Sequence, residues 1–535
     1  MPPSPSLAAP HSAGQVLPFR QSLMAMLGMC FIMVLVAVDQ TVVGTALPTI
    51  VSELHGFELY AWVATSYLLT SVITVPIFGR LGDYYGRKPF VVAAIVVFTV
   101  ASLLCGAAAS MPQLVVARAL QGVGGGMLVG TAFACIPDLF PDPRVRLRWQ
   151  VMVTAAFGLA NAIGPTLGGV LTEHYGWRSV FYVNLPVGLL GIAFVTRYMP
   201  HLRHPQEGRI RLDWPGALLI AAALGTLQLL VEFLPQEGLS GLTLLLAAAS
   251  TAGFAGLYHW ERRCSHPLLP FEMLRNRALA SLFLLALLVG VTLFTLLFYA
   301  PLMLQGGFGL SPQQAGLLVT PMVVCIPVGS TINGRVITRL SHPNLMLYVG
   351  FALLAAACLG IVATDRTTPH GLIAACMMMA GLGLGFIMPN LTVFGQQAAG
   401  RSHLGIATAL MQSLRMIGGM LGTAVVGTVV SHTYASGISQ ALQGPAAAAG
   451  AAPLADPRVL VDAESQARLL VQWAGQGLDG AAMLASARAA LVAAIHDGQW
   501  IALAMAVLAL WCVRRVPRVQ FTRPAHSPSP ARTEP

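Results

Sequence analysis

From residue 22 onward the chain is a succession of apolar runs, most about twenty residues long, separated by polar turns. A helix of that length crosses about 30 Å of hydrocarbon, and a soluble core does not use so many such runs in series. In lipid each backbone N–H and C=O must be bonded within its own segment, so these runs are helices. With 56% of 535 residues hydrophobic and only 9% charged, each charge that does fall inside a run becomes informative.

Fourteen spans are expected, at about 22–49, 60–79, 90–110, 112–137, 150–172, 180–199, 214–233, 242–258, 279–303, 314–334, 345–364, 370–396, 406–431 and 498–514. An even number puts both termini on one side. The loops of that side carry 23 basic residues and the opposite loops five (Arg178, Arg366, Arg458, Arg468 and Arg488), so the positive-inside rule makes both termini cytoplasmic.

An internal repeat appears at an offset of about 254 residues. Gly79-Arg80 recurs as Gly334-Arg335, Gly164 to Gly169 as Gly418 to Thr423, and Pro48 as Pro301. Eight spans separate the copies, so the repeat is parallel. The expected fold is an all-α integral membrane protein with fourteen transmembrane helices arranged 6+2+6. A cytoplasmic tail (1–21) precedes a six-helix bundle (22–199). Linkers and two inserted helices (200–278) lead to a second bundle (279–514), which holds a long outside loop (432–497) before the disordered tail 515–535. The outside loop reads as a solvated cap with a helix near 462–495, and its apolar residues also allow an amphipathic helix on the membrane.

The net charge of +10 does not point to nucleic acid, because the basic residues sit in the loops of one membrane face. The eight cysteines lack metal or redox spacing, so no disulfide, metal or cofactor is expected. An enzyme would need paired carboxylates, a metal cluster or an activated nucleophile inside the spans, and none is evident.

Two charges lie inside the first bundle. Asp39, in AVDQTVVGTALP, costs about 3 kcal/mol or more at such depth, which marks it as a proton-binding carboxylate. Arg118, in ARALQGVGGG, is its natural partner: at about 1.5 Å per residue the two lie ~16 and ~9 Å below their outer ends, a gap an arginine spans. The alternative for each is a packing role. Gly164, Pro165, Gly168 and Gly169 mark a kink or a smooth helix face in the fifth span. Gln40, Gln121, Asn161, Gln305, Asn390 and Gln412, with Phe298 and Arg415, are the candidates for a substrate cavity, since uncharged amides avoid lipid and Arg415 lies within a span. A soft apolar pocket would draw on Met377, Met378, Met379, Met388, Phe294 and Tyr299.

Between the second and third spans stands GRLGDYYGRKP, Gly79 to Pro89, with three glycines, an aspartate and three basic side chains. It reads as a tight connection at a membrane face, against which other backbone packs. Gly79, Leu81, Asp83, Gly86, Arg87 and Lys88 resemble the cytoplasmic loop motif of the major facilitator superfamily. Asp39 to Pro48 is similar to the first-span motif of its fourteen-helix drug:proton antiporter branch. Arg118-Gln121-Gly122, the Gly164–Gly169 set and Trp177 to Gly188 are similar to further motifs of that branch, with Gly44 and Ala160 departing from the pattern. The resemblance implies alternating access, with the Gly79–Lys88 segment as a conformational latch, Asp83 near the start of a second-half helix, and Asp39 as proton carrier tuned by Arg118.

The leading expectation is a bacterial inner-membrane, monomeric exporter of lipophilic small molecules driven by proton antiport. Export of one metabolite or siderophore is the alternative, and proton symport a weaker one. Spans nine to fourteen hold no carboxylate, which disfavours dications as cargo. Some relatives pair with a periplasmic adaptor and an outer-membrane channel, and such partners are possible here.

Overall fold

The structure is a computed structural model that describes residues 19–54, 59–140, 142–199, 213–264, 267, 273, 275–400, 403–441, 452–455, 457–460, 463–475 and 478–517. Residues 1–18 and 518–535 of the expected tails, residues 200–212 of the linker and residues 442–451 of the outside loop lie outside the described residues, as do the side chains of Asp83, Asn161 and Pro165.

The described chain is helical, without a strand. The first bundle comprises α1 (Phe19–Leu54), α2 (Tyr60–Tyr85), α3 (Arg87–Gly106), α4 (Met111–Leu139), α5 (Pro143–Tyr175), the short α6 (Arg178–Tyr182) and α7 (Asn184–Tyr198). The inserted pair is α8 (Trp214–Glu237) and α9 (Gly241–Glu261). There follow α10 (Arg277–Leu302), α11 (Pro312–Val336), α12 (Leu345–Val362), α13 (His370–Ala399), α14 (Leu404–Ala441), the shorter α15 (Ala463–Gly475) and α16 (Gly480–Cys512).

Among the described residues, thirteen helices are long and apolar enough to cross a membrane. The remaining long helix, α5, has the length (33 residues) but carries Arg146, Arg148, Gln150 and several glycines, which lower its hydropathy. Its neighbours are protein: α1 on one side, α11 and α13 on the other. Exposed Val96, Val100, Leu103 and Leu104 on α3, and Leu242, Leu244, Leu245 and Phe254 on α9, would aggregate in water and instead mark surface suited to lipid.

Local chemistry sets the helix starts. Asp213 caps α8, accepting from Gly216 N (2.9 Å) ahead of Pro215, and also accepts from Trp260 Nε1 (2.8 Å), which ties the inserted helices together. Ser311 and Gln314 form a reciprocal capping box at α11.

The packing repeats along the chain. α1 packs on α5 and α7, α2 and α3 on α4, and α3 on α7; correspondingly α10 packs on α14 and α16, α11 and α12 on α13, and α12 on α16. The two sets meet through α2 with α14 and α5 with α11, while α8 leans on α2 and α14.

Two expectations about segments change. GRLGDYYGRKP is hardly a loop: α2 runs through Tyr85, α3 starts at Arg87, and Gly86 alone turns the chain at φ +85°, a conformation side-chain-bearing residues rarely adopt. The outside loop shrinks as well, because α14 continues to Ala441 and α16 already begins at Gly480. Its helix α15 buries Trp473 in the second-bundle core together with Leu454 and Leu460, and Tyr434 Oη donates to Leu454 O (2.8 Å).

Candidate functional site

Asp39 lies on α1, 1% exposed, and five helices deliver its surroundings. Arg118 of α4 donates from Nη1 to Asp39 Oδ2 at 2.7 Å. The other oxygen, Oδ1, accepts from Gln121 Nε2 of α4 (2.8 Å) and from Asn184 Nδ2 of α7 (2.7 Å). Both amides also donate to Ser102 Oγ of α3, at 2.8 and 3.2 Å, and Ser102 in turn donates to Phe98 O. Arg118 is held from behind as well: Nη1 reaches Gln121 Oε1 (2.6 Å), Nε donates to Val63 O (3.2 Å), and the guanidinium carbon stands 4.5 Å over the Tyr67 ring of α2. Gln40 Nε2 donates to Tyr67 Oη at 3.4 Å.

The local sequence explains why these helices come so close. At Gly122 a Cβ would collide with Thr70 Oγ1 and Tyr67 O, so α2 and α4 touch through backbone one residue beyond Gln121. At Gly164 a Cβ would collide with Thr41, two residues from Asp39, so α5 presses on α1 at the depth of the site. Gly169, in contrast, is exposed with open space around it, so the four-residue set does not form one continuous packing face.

Chemically, the arrangement is a carboxylate with three donors on two oxygens, sealed from water. One amide atom is left over: Asn184 Oδ1 is buried without a partner. Turning that amide over would present an acceptor to Asp39 Oδ1, so the cluster can accommodate both an ionised and a protonated carboxyl.

Sequence reasoning anticipated the Asp39–Arg118 pair and missed Ser102 and Asn184 as its partners. Asn184 stood within a recognised motif but carried no charge to draw attention, and Ser102 is one of many serines in apolar helices. Gln121, read as a cavity residue, is fully buried in the Asp39 cluster instead. Asn390 is likewise occupied: it exchanges hydrogen bonds with Asn333 (3.0 and 2.8 Å) and donates to Phe386 O (2.7 Å), clamping α11 to α13. Gln305 lies in the π-turn Met303–Gly307 that follows α10. Phe298 is 57% exposed, its ring 6.1 Å from Phe294. Gln412 and Arg415 of α14 come together in one cleft with Met388, Met411 and Thr392. The wider methionine set disperses: Met377 is buried in the second-bundle core and Met378 is exposed.

At the far end of α2, a Cβ on Gly79 would collide with Ala409 of α14 and approach Gly405 O to 3.3 Å. Beyond it, Arg87 pairs with Asp138 of α4 and Lys88 Nζ donates to Thr196 O of α7 (2.8 Å). These contacts fix the segment to its own bundle and lay α2 against the start of α14. The degenerate copy places Arg335 and Arg339 with Arg148 of α5 around a cleft of about 350 Å³.

Outside the spans, Glu53 ends α1, accepting from Trp177 Nε1 (2.8 Å) and pairing with Arg178, whose guanidinium stacks 4.3 Å over the Trp177 ring. The hydrogen bonds from Arg178 and Trp177 hold the Glu53 carboxyl below its usual range.

The Major Facilitator Superfamily model matches residues 29–423. Multidrug resistance protein 3 of Bacillus subtilis is 32% identical over 456 residues, covering 83% of this chain and 87% of that protein. Multidrug transporter protein MdtP of the same organism is 33% identical over 407 residues, covering 76% and 74%. The solved structure of the proton:xylose symporter XylE superposes with a TM-score of 0.57 at 13% identity, covering 94% of this chain and 97% of that one, a likeness of fold alone. With the family model spanning most of the chain and multidrug transporters similar over three quarters of it or more, this multi-pass helical membrane protein belongs to the major facilitator superfamily, in its drug-efflux branch.

Proposed function

We propose that the chain is a proton-coupled antiporter that exports lipophilic small molecules across the bacterial inner membrane by alternating access. Fourteen spans, α5 and the α6–α7 pair included, form two parallel-repeat bundles of six around the inserted α8–α9, with both termini cytoplasmic. The observation that carries this reading is the sealed cluster at Asp39: a carboxylate held by Arg118, Gln121 and Asn184, with a spare amide oxygen beside it.

Proton arrival on Asp39 Oδ1 turns one acceptor into a donor. Asn184 rotates its amide to accept that proton, and the loss of charge releases the Coulomb attraction to Arg118. The pair joins α1 to α4, so weakening it frees two helices to shift, and proton binding is thereby converted into movement of the first bundle. Cargo and proton compete because each favours a different arrangement of these helices.

The Gly79 contact supports the latch reading. Gly79 lies against Ala409 and Gly405 O near the start of α14, which supports a reading in which Asp83 complements that helix N-terminus and holds the cytoplasmic ends of the bundles together.

The test is transport in inverted membrane vesicles under an imposed proton gradient. Wild type should accumulate lipophilic dyes and collapse that gradient in proportion. Asp39→Asn should do neither. Full-rate, gradient-dependent export by Asp39→Asn would remove Asp39 from the coupling step.

A further inference from the structure

Charge inside the second bundle is unbalanced. Asp39 and Arg118 cancel each other in the first, but Arg415, eleven residues into α14 and therefore ~16 Å from its start, has no hydrogen-bond or ion-pair partner among the described residues. No carboxylate occurs anywhere on α10, α11, α12, α13 or α14, and Asp497 of α16 is exposed and forms no ion pair with it. A guanidinium at such depth is retained only if something neutralises or hydrates it during the working cycle.

What surrounds it has the form of a ligand site. The cleft is lined by Ala286 and Val289 of α10, Met388, Leu391 and Thr392 of α13, and Met411 and Gln412 of α14 beside Arg415. Gln412 is 4% exposed and, like Arg415, has no hydrogen-bond partner among the described residues, so two donor side chains one turn apart are left available at one cleft. Apolar and thioether groups supply the remaining walls, a lining that adapts to hydrophobic bodies of different shape. Free space in the cleft is about 10 Å³, room for about one water, so a ligand enters only when these helices shift.

We propose that Arg415 and Gln412 form the anion-binding end of the cargo site, and that the preferred cargo is an amphiphile with a carboxylate or comparable oxyanion head on an apolar body. The proposal rests on the exporter reading and narrows it. Arg415 offers the fork geometry that matches a carboxylate, Gln412 adds a third donor, and no acidic group nearby competes for them. An amphiphilic amine would instead meet an uncompensated like charge.

The test uses the full-length protein in nanodiscs and three probes sharing one body: pyrenebutyrate, pyrenebutanol and pyrenebutylamine, with affinity read from tryptophan-to-pyrene energy transfer. Wild type should bind the acid about tenfold or more tighter than the alcohol, with the amine weakest. In Arg415→Gln the acid-to-alcohol ratio should fall to about one, and Arg415→Lys should keep part of the preference. Equal affinities in wild type, absence of measurable acid binding, or a preference that survives in Arg415→Gln would overturn the assignment. Proton-driven uptake of the same probes by inverted vesicles separates the two readings. Acid preference without any gradient-driven uptake sinks the exporter reading and keeps the anion site, whereas driven uptake without acid preference does the reverse.

Discussion

Removing either member of the Asp39–Arg118 pair should destabilise the protein far more than removing both. In Arg118→Met the carboxylate keeps Gln121 and Asn184 as donors but loses its only countercharge, and uncovering one member of a buried pair costs about 3–5 kcal/mol. In Asp39→Leu the guanidinium retains Gln121 Oε1, Val63 O and the Tyr67 face, so its cost lies near the lower end, about 3 kcal/mol. The double variant Asp39→Leu/Arg118→Met leaves no charge behind. Gln121 and Asn184 both still donate to Ser102 Oγ, so the remaining penalty is about 1–3 kcal/mol for acceptors left short of a partner. The cycle should therefore show a coupling of about 3 kcal/mol or more. Unfolding by dodecyl sulfate in mixed micelles, followed by tryptophan fluorescence, measures all four proteins under one condition. The double variant should lose less stability than either single variant and yet drive no proton-coupled export. Additive losses, or a single Arg118→Met variant as stable as wild type, would refute the idea of a sealed pair.

Asn184→Ala removes a hydrogen bond to a charged acceptor, worth about 1.5–3 kcal/mol, and with it the spare amide oxygen, so gradient-driven export in inverted vesicles should fall by about tenfold or more. Gly79→Ala should push α2 off α14, separate the two helix ends, and be rescued by Ala409→Gly; spin-label distances between those ends report both effects. At the end of α1 the Glu53 carboxyl titrates below its ordinary value of 4.5, so its ties to Arg178 and Trp177 stabilise the fold above that pH and are lost as the pH falls through the lowered range. Glu53→Gln should accordingly melt earlier than wild type at neutral pH, with the difference closing only below about pH 4.5 in thermal unfolding scans.

Helix positions were legible because lipid leaves a chain few choices. An apolar run must satisfy its own backbone, so run length alone located most spans within a few residues. α5 shows where that logic thins: it is walled by α1, α11 and α13, so it tolerates arginine, glutamine and glycine, and hydropathy understates it. The Gly79–Pro89 segment misled in the opposite direction. Its charges suggest a loop, but they sit on helix turns that dock against protein, and only Gly86 leaves helical geometry. The repeat was visible through a few glycines and prolines because close packing constrains those residues, while the apolar positions between them interchange freely.

The site itself was half legible, and the division follows the cost of burial. A charge in hydrocarbon is so expensive that Asp39, Arg118 and Arg415 stand out in any reading of the chain. An amide or a hydroxyl costs less, and helices absorb many of them through their own carbonyls, as Thr41 and Thr131 do here. Ser102 and Asn184 therefore look ordinary in sequence although they complete the carboxylate's shell. Arg118 and Arg415 look alike in sequence, each an arginine in a glycine-rich span, although the repeated packing makes α14 the counterpart of α5 rather than of α4. Their difference is a distance. Arg118 finds a carboxylate 2.7 Å away on the helix it faces, whereas α10 offers Arg415 only Ala286 and Val289. On the exporter reading that difference leaves a cargo site, because the charge the protein does not supply is the one the passenger can bring.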